Sequence, residues 1–142
     1  MSDIIKITIK GESGYGCVDE AYNDKVTITP SSISYEYKPV IESDLNIYRK
    51  WSYKTNSPLF YELFMQVSSM MDSILHPEFI CDCTDIGGTE FVVTYSDQSK
   101  EKRLYFCPGD EFADCFKIIK CMVPESEYVP AVLLTSDDYP DD

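Results

Sequence analysis

The chain opens on a two-residue alternation. In IIKITIK (4–10) apolar and polar residues take turns, which is the period of a strand buried on one side. GESGYG (11–16) is rich in turn formers and predicts a break. VTITP (26–30) and SISYEYKP (32–39) predict two more strands, separated by Pro-Ser-Ser as a hairpin turn. PVIESDLN (39–46) predicts a polar loop, and YRKWSYKT (48–55) alternates again.

The period then changes. Phe60, Leu63, Phe64, Val67, Met70, Met71 and Ile74 recur at the spacing of one helical face. Asn56 or Ser57 can cap this helix, Pro58 suits its first position, and Glu62 sits where the dipole favours an acid. His76-Pro77 predicts its end, because the residue before proline avoids helical backbone. FICDCT (79–84) and TEFVVTYS (89–96) predict strands around the turn Asp85-Ile86-Gly87-Gly88. DQSKE (97–101) predicts a hairpin loop and KRLYFC (102–107) a return strand. Pro108-Gly109-Asp110 opens a second helix, EFADCFKIIKCMV (111–123), which Pro124 closes. Beyond it, AVLL is predicted to dock on the domain, and residues 135–142 form an acidic tail.

The two helical patterns match at a constant offset of 52 residues. Phe60 aligns with Phe112, Phe64 with Phe116, Leu63 with Cys115 and Val67 with Ile119; upstream, Lys50 and Tyr53 align with Lys102 and Tyr105. This suggests an internal β-β-α duplication over residues 26–76 and 79–123. The predicted fold is an α+β two-layer sandwich: a mostly antiparallel sheet of about six or seven strands with two helices on one face. At 142 residues the chain fits a single domain, taken as 1–134.

Charge changes the picture of function more than of fold. Twenty-five acids against twelve bases give a net charge of −13. A phosphate backbone or an anionic membrane surface would be repelled, so nucleic-acid and membrane partners are disfavoured, whereas a basic protein partner is allowed. No basic leader precedes an apolar run, and the apolar runs are too short to cross a bilayer, so the expected location is cytoplasmic. The six cysteines are then expected as free thiols.

Candidate chemistry is thin. Cys81 and Cys83 share a strand face, and Cys107 with Asp82, Asp85 or His76 could complete a metal site. The paired knuckles of structural zinc are absent, however, and small buried thiols are the simpler reading. Cys115 and Cys121 lie about 240° apart around a helix and cannot share one ion, while Cys115 is expected in the core. His76, the only histidine, is expected to serve the helix end rather than a nucleophile. The glycines at 11, 14 and 16 are in the wrong order for a phosphate loop. No cofactor is expected.

In RKWSYK (49–54), Arg49, Trp51 and Tyr53 share one strand face, and Arg103 and Tyr105 repeat the arrangement in the second copy. Such a strip could stack single-stranded bases; with this net charge, packing under a helix or a protein interface fits better. The expected interaction residues are therefore Arg49, Trp51, Tyr53, Arg103, Tyr105 and the tail acids Asp137 and Asp138. The leading expectation is a small, acidic, non-enzymatic module that binds a basic protein partner, of inhibitor or immunity type. The alternatives are a small-ligand-binding domain or enzyme with a groove between sheet and helices, and a homo-oligomeric structural protein.

Overall fold

The computed structural model of the chain describes residues 3–12, 21–42, 47–76, 88–105, 112–124 and 130–133. Its elements are β1 (Ile4–Glu12), β2 (Tyr22–Thr29), β3 (Ser32–Pro39), β4 (Arg49–Lys54), α1 (Pro58–Leu75), β5 (Thr89–Tyr95), β6 (Lys100–Tyr105), α2 (Ala113–Met122) and a 3₁₀ turn at Ala131–Leu133. The six strands form one sheet in the order β4-β3-β2-β1-β5-β6, with every pairing antiparallel. This is the α+β two-layer arrangement predicted from the alternation. Among the described residues no helix is long and apolar enough to cross a membrane. The predicted strand at 79–84 lies outside the described residues.

One sheet face carries the core. Ile7, Ile9, Val26, Ile28, Ile33, Phe91 and Val93 are fully buried there, each one strand position from a polar neighbour on the other face. Against them α1 packs Phe60, Phe64, Val67, Met71 and Leu75, and α2 packs Cys115, Phe116, Ile119 and Met122. Both sets follow helical spacing. Phe91 is the centre of an aromatic cluster, 4.9 Å from the Phe112 ring and 6.1 Å from those of Tyr105 and Phe116. Cys115 sits in this core as expected, where burial pushes its thiol up to about 12. Cys121, on the same helix, is exposed.

Local signals explain most element ends. Ser57 takes the N-cap position in extended backbone and Pro58 begins α1; the Ser57 side chain makes no capping bond, and its N–H instead donates to Thr55 Oγ1 at 3.1 Å. His76 ends the helix as predicted and donates its N–H to the Asp72 carbonyl at 3.0 Å. Pro30-Ser31 closes the β2–β3 hairpin.

Three boundaries differ from the sequence expectation. The β5–β6 loop is shorter than DQSKE, and Lys100 already pairs with Thr94. Asp97 tightens the turn by accepting the Ser99 N–H and hydroxyl, while Gln98 takes a positive φ of 73°. Strand β2 begins at Tyr22 rather than Val26. Strand β1 runs on through Gly11 and Glu12 instead of turning at Gly11. Gly11 answers a close approach: a Cβ there would lie 2.5 Å from Asp24 Oδ1 and 2.7 Å from Val132 Cγ2.

The residues aligned by the 52-residue offset share some placements and differ in others, with Tyr53 exposed and Tyr105 buried. Strands β4 and β6 are the two sheet edges, and β3 and β5 lie next to them. Tyr53 meets Phe60 edge-on at 6.4 Å, and Tyr105 meets Phe112 edge-on at 4.9 Å. The helices they precede differ, with 18 residues in α1 and 10 in α2.

Candidate functional site

A cleft of about 880 Å³ opens where the outer side of α1 passes the end of the sheet. Four elements build it. The start of β1 supplies Asp3 and Ile4, the β2–β3 turn Pro30, α1 Tyr61, Met65 and Asp72, and the β5–β6 hairpin Tyr95, Asp97 and Glu101. Phe64 and Met71, both core residues, form part of the floor. The hydroxyls of Ser68 and Ser69 donate to the Phe64 and Gln66 carbonyls, so these small side chains stay against the helix and leave the middle of the cleft open.

Backbone bonds hold the carboxylates in place. Asp3 N–H donates to Ser96 Oγ at 3.2 Å, and Ser96 N–H donates to the Asp3 carbonyl at 2.7 Å, which ties the chain start to the hairpin turn. Tyr95 donates its hydroxyl to Glu101 Oε1 at 2.6 Å, and His76 Nε2 lies 3.0 Å from Glu101 Oε2. Tyr105 donates to the Ile74 carbonyl and so anchors the end of α1 to β6. The Glu101 bond, then burial, then the charges of Glu101 and Asp72 push the Tyr95 hydroxyl up to about 12. Tyr95 is therefore a fixed donor at neutral pH.

The described lining holds four carboxylates, Asp3, Asp72, Asp97 and Glu101, and no lysine or arginine. Exposed apolar side chains extend the rim along α1: Leu59, Tyr61 and Met65 are each about half exposed or more. Carboxylates beside aromatic and thioether groups suit a cation on an apolar stem, which is the chemistry of a lysine or arginine side chain.

The sequence-predicted interaction residues lie elsewhere. Arg49, Trp51 and Tyr53 are on β4, on the helix side of the sheet, and Arg103 and Tyr105 are on β6 at the opposite edge. The two strips are thus not brought together. Trp51 is 8% exposed and packs 6.0 Å from Tyr35, with its indole N–H buried and unbonded. Arg49 lies over the Tyr37 ring and Arg103 over the Tyr105 ring. Tyr53 is exposed. Asp137, Asp138, Cys81, Cys83 and Cys107 lie outside the described residues.

Sequence reasoning missed the cleft acids because they come from three separate parts of the chain. The one local signal was on α1, where Met65, Ser68, Ser69 and Asp72 share the side opposite Phe60, Phe64 and Val67.

A buried carboxylate stands apart from the cleft. Asp24 is 4% exposed on the core side of β2. Its Oδ2 accepts the Tyr35 hydroxyl at 2.7 Å and the Val132 N–H at 2.9 Å, while Oδ1 is buried without a partner. Burial raises its carboxyl above the ordinary 3.8, and the two hydrogen bonds offset only part of that. This bond pins the 3₁₀ turn to the sheet, with Leu133 fully buried beside it.

The chain matches no protein-family model and no curated protein.

Proposed function

We propose that the protein is a non-enzymatic interaction module that takes a basic, amphipathic segment of a partner protein into the cleft between α1 and the β5–β6 hairpin. Its size and acidity suit an inhibitor or immunity type. The observation that carries this reading is the convergence of Asp3, Asp72, Asp97 and Glu101 from three separate parts of the chain onto a cleft with an apolar floor. The Tyr95 hydroxyl, pushed up to about 12 by its bond to Glu101, stays a hydrogen-bond donor in the cleft wall. Charge complementarity of this kind chiefly speeds association and selects the partner.

A labelled amphipathic lysine/leucine peptide tests it by fluorescence anisotropy at low and physiological salt. Asp72→Lys should weaken binding by about tenfold, while Glu62→Lys, the same charge change on the same helix outside the cleft, should cost much less. Equal losses would mean that the peptide reads net charge alone and would refute a built site.

The cleft volume also favours a second reading, a small cationic ligand, since pockets of about 300–1,000 Å³ are typical of small-molecule sites. Calorimetric titration with spermidine distinguishes the two: heat that depends on Asp72, together with no peptide binding, would select the small ligand.

A further inference from the structure

Among the described residues, the side of the sheet turned away from the helices has the opposite sign to the net charge of the chain. Eight of the twelve basic residues project from it, all of them lysines and all exposed, against three carboxylates among the described strand residues, Glu12, Glu36 and Glu90. The remaining bases are Arg49 and Arg103 on the helix side, and Lys117 and Lys120 on α2.

The pairing registers arrange these lysines in rows. One row crosses all six strands: Lys50, Glu36, Lys25, Lys10, Glu90 and Leu104. Lys10 and Lys25 stand directly opposite one another on adjacent strands, a like-charge pair that Glu90, 3.9 Å from Lys10 Nζ, and Glu36, beside Lys25 and Lys38, offset only in part. The next row is small and polar: Ser52, Ser34, Thr27 and Thr8, ending in Val92 and Lys102. Beyond it stand Lys54 on β4, Lys6 on β1 and Lys100 on β6. Rows on one face are about 7 Å apart, so the two lysine rows flank a low floor about 13 Å across, close to the roughly 10–12 Å diameter of a helix. Two adjoining hollows of about 420 and 450 Å³ share Lys25 and Glu36 in their walls.

We infer that this lysine-framed face is a second docking surface, and that its occupant is an acidic segment of a partner protein laid across the strands along the Ser52–Thr8 row. Charge complementarity selects the acid. The rest of the face selects protein over nucleic acid. Both arginines and Trp51, the groups that stack bases best, are on the helix side of the sheet. Glu36 and Glu90 interrupt the lysine row, which a run of phosphates would resist and spaced carboxylates tolerate. A long polyanion would also run past the lysines toward a chain of net charge −13. A second copy seated face to face would set lysines against lysines. This surface is independent of the acidic cleft, so failure of either leaves the other standing.

The test is anisotropy of the full-length protein with a labelled 15-residue Glu/Ala peptide, beside a labelled 15-nucleotide oligo-dT. Wild type should bind the peptide in low salt and release it as salt rises. The pair Lys10→Gln/Lys25→Gln should weaken it by about tenfold, and Lys117→Gln/Lys120→Gln, which removes equal charge from α2, by less than about twofold. Circular dichroism confirms that both variants fold. No peptide binding in low salt, equal losses from the two pairs, or tighter capture of oligo-dT through Lys10 and Lys25 would each overturn the proposal.

Discussion

The two faces of the sheet are made by the same six strands and share every backbone hydrogen bond, yet they have almost nothing else in common. On β5, Phe91 and Val93 are fully buried under the helices, while Glu90 and Val92, one residue away on each strand, face the open side. On β1 the pairs are Ile7 and Ile9 against Lys6 and Lys10. A net charge describes the chain and not its surfaces. Alternation sorts side chains to two sides, and antiparallel register adds them up across strands. A chain of −13 can therefore present a lysine face, with an acidic cleft on the helix side.

The largest effect is expected from deleting one buried ring. Phe91→Ala should cost about 3–5 kcal/mol in urea unfolding, because the cavity is walled by Tyr105, Phe112 and Phe116 and cannot collapse freely. Val92→Thr, the adjacent position on the open face, should cost under about 1 kcal/mol by the same measurement. Comparable losses at 91 and 92 would mean that the open face is not open.

A smaller effect is expected where the sheet meets the 3₁₀ turn. Gly11→Ala should destabilise by about 1–3 kcal/mol, since the methyl group meets Asp24 and Val132 well inside contact distance. An unchanged urea midpoint would show that the turn lifts away at no cost.

Asp24 gives a pH-dependent comparison. Its folded carboxyl titrates above the ordinary 3.8, so folding favours the protonated form. The stability it contributes is full below that value and is lost as pH rises through the raised folded value. Asp24→Asn removes this dependence, so the stability of the variant minus that of wild type should increase as pH climbs from below 3.8 toward neutral. A difference that is flat across that range would count against the buried, protonation-favouring site.

The smallest effect sharpens the contrast from the open side. Lys25→Gln removes the Lys10–Lys25 contact and should change stability by only a few tenths of a kcal/mol, about 0.2–0.5 in the stabilising direction. A large loss would mean that Lys25 supports the fold rather than waits for a partner.

Much of the fold was legible residue by residue. SISYEYKP forms β3 over the predicted span, Pro58 and His76 bound α1, and the Phe60, Phe64, Val67 and Met71 face is buried. The errors came where a residue answered a distant neighbour. Gly11 reads as a turn former, but its missing side chain makes room for Asp24 and Val132, 13 and 121 residues away in sequence. For Trp51 the alternation left packing under a helix and a protein interface both open; it is buried against Tyr35 because β4 turns that side toward the helices.

The sequence by itself determined the periods, and with them the α+β class, the antiparallel strands and which residue of each neighbouring pair enters the core. Local sterics and the burial of apolar side chains act over a few residues, so a short window contains them. Only the tertiary structure decided which strands are neighbours and in what register, because pairing depends on segments far apart in the chain. Register set Lys10 beside Lys25 and drew four carboxylates from three parts of the chain into one cleft. Surface electrostatics is a sum over neighbours in space, and no window along the chain holds those neighbours together.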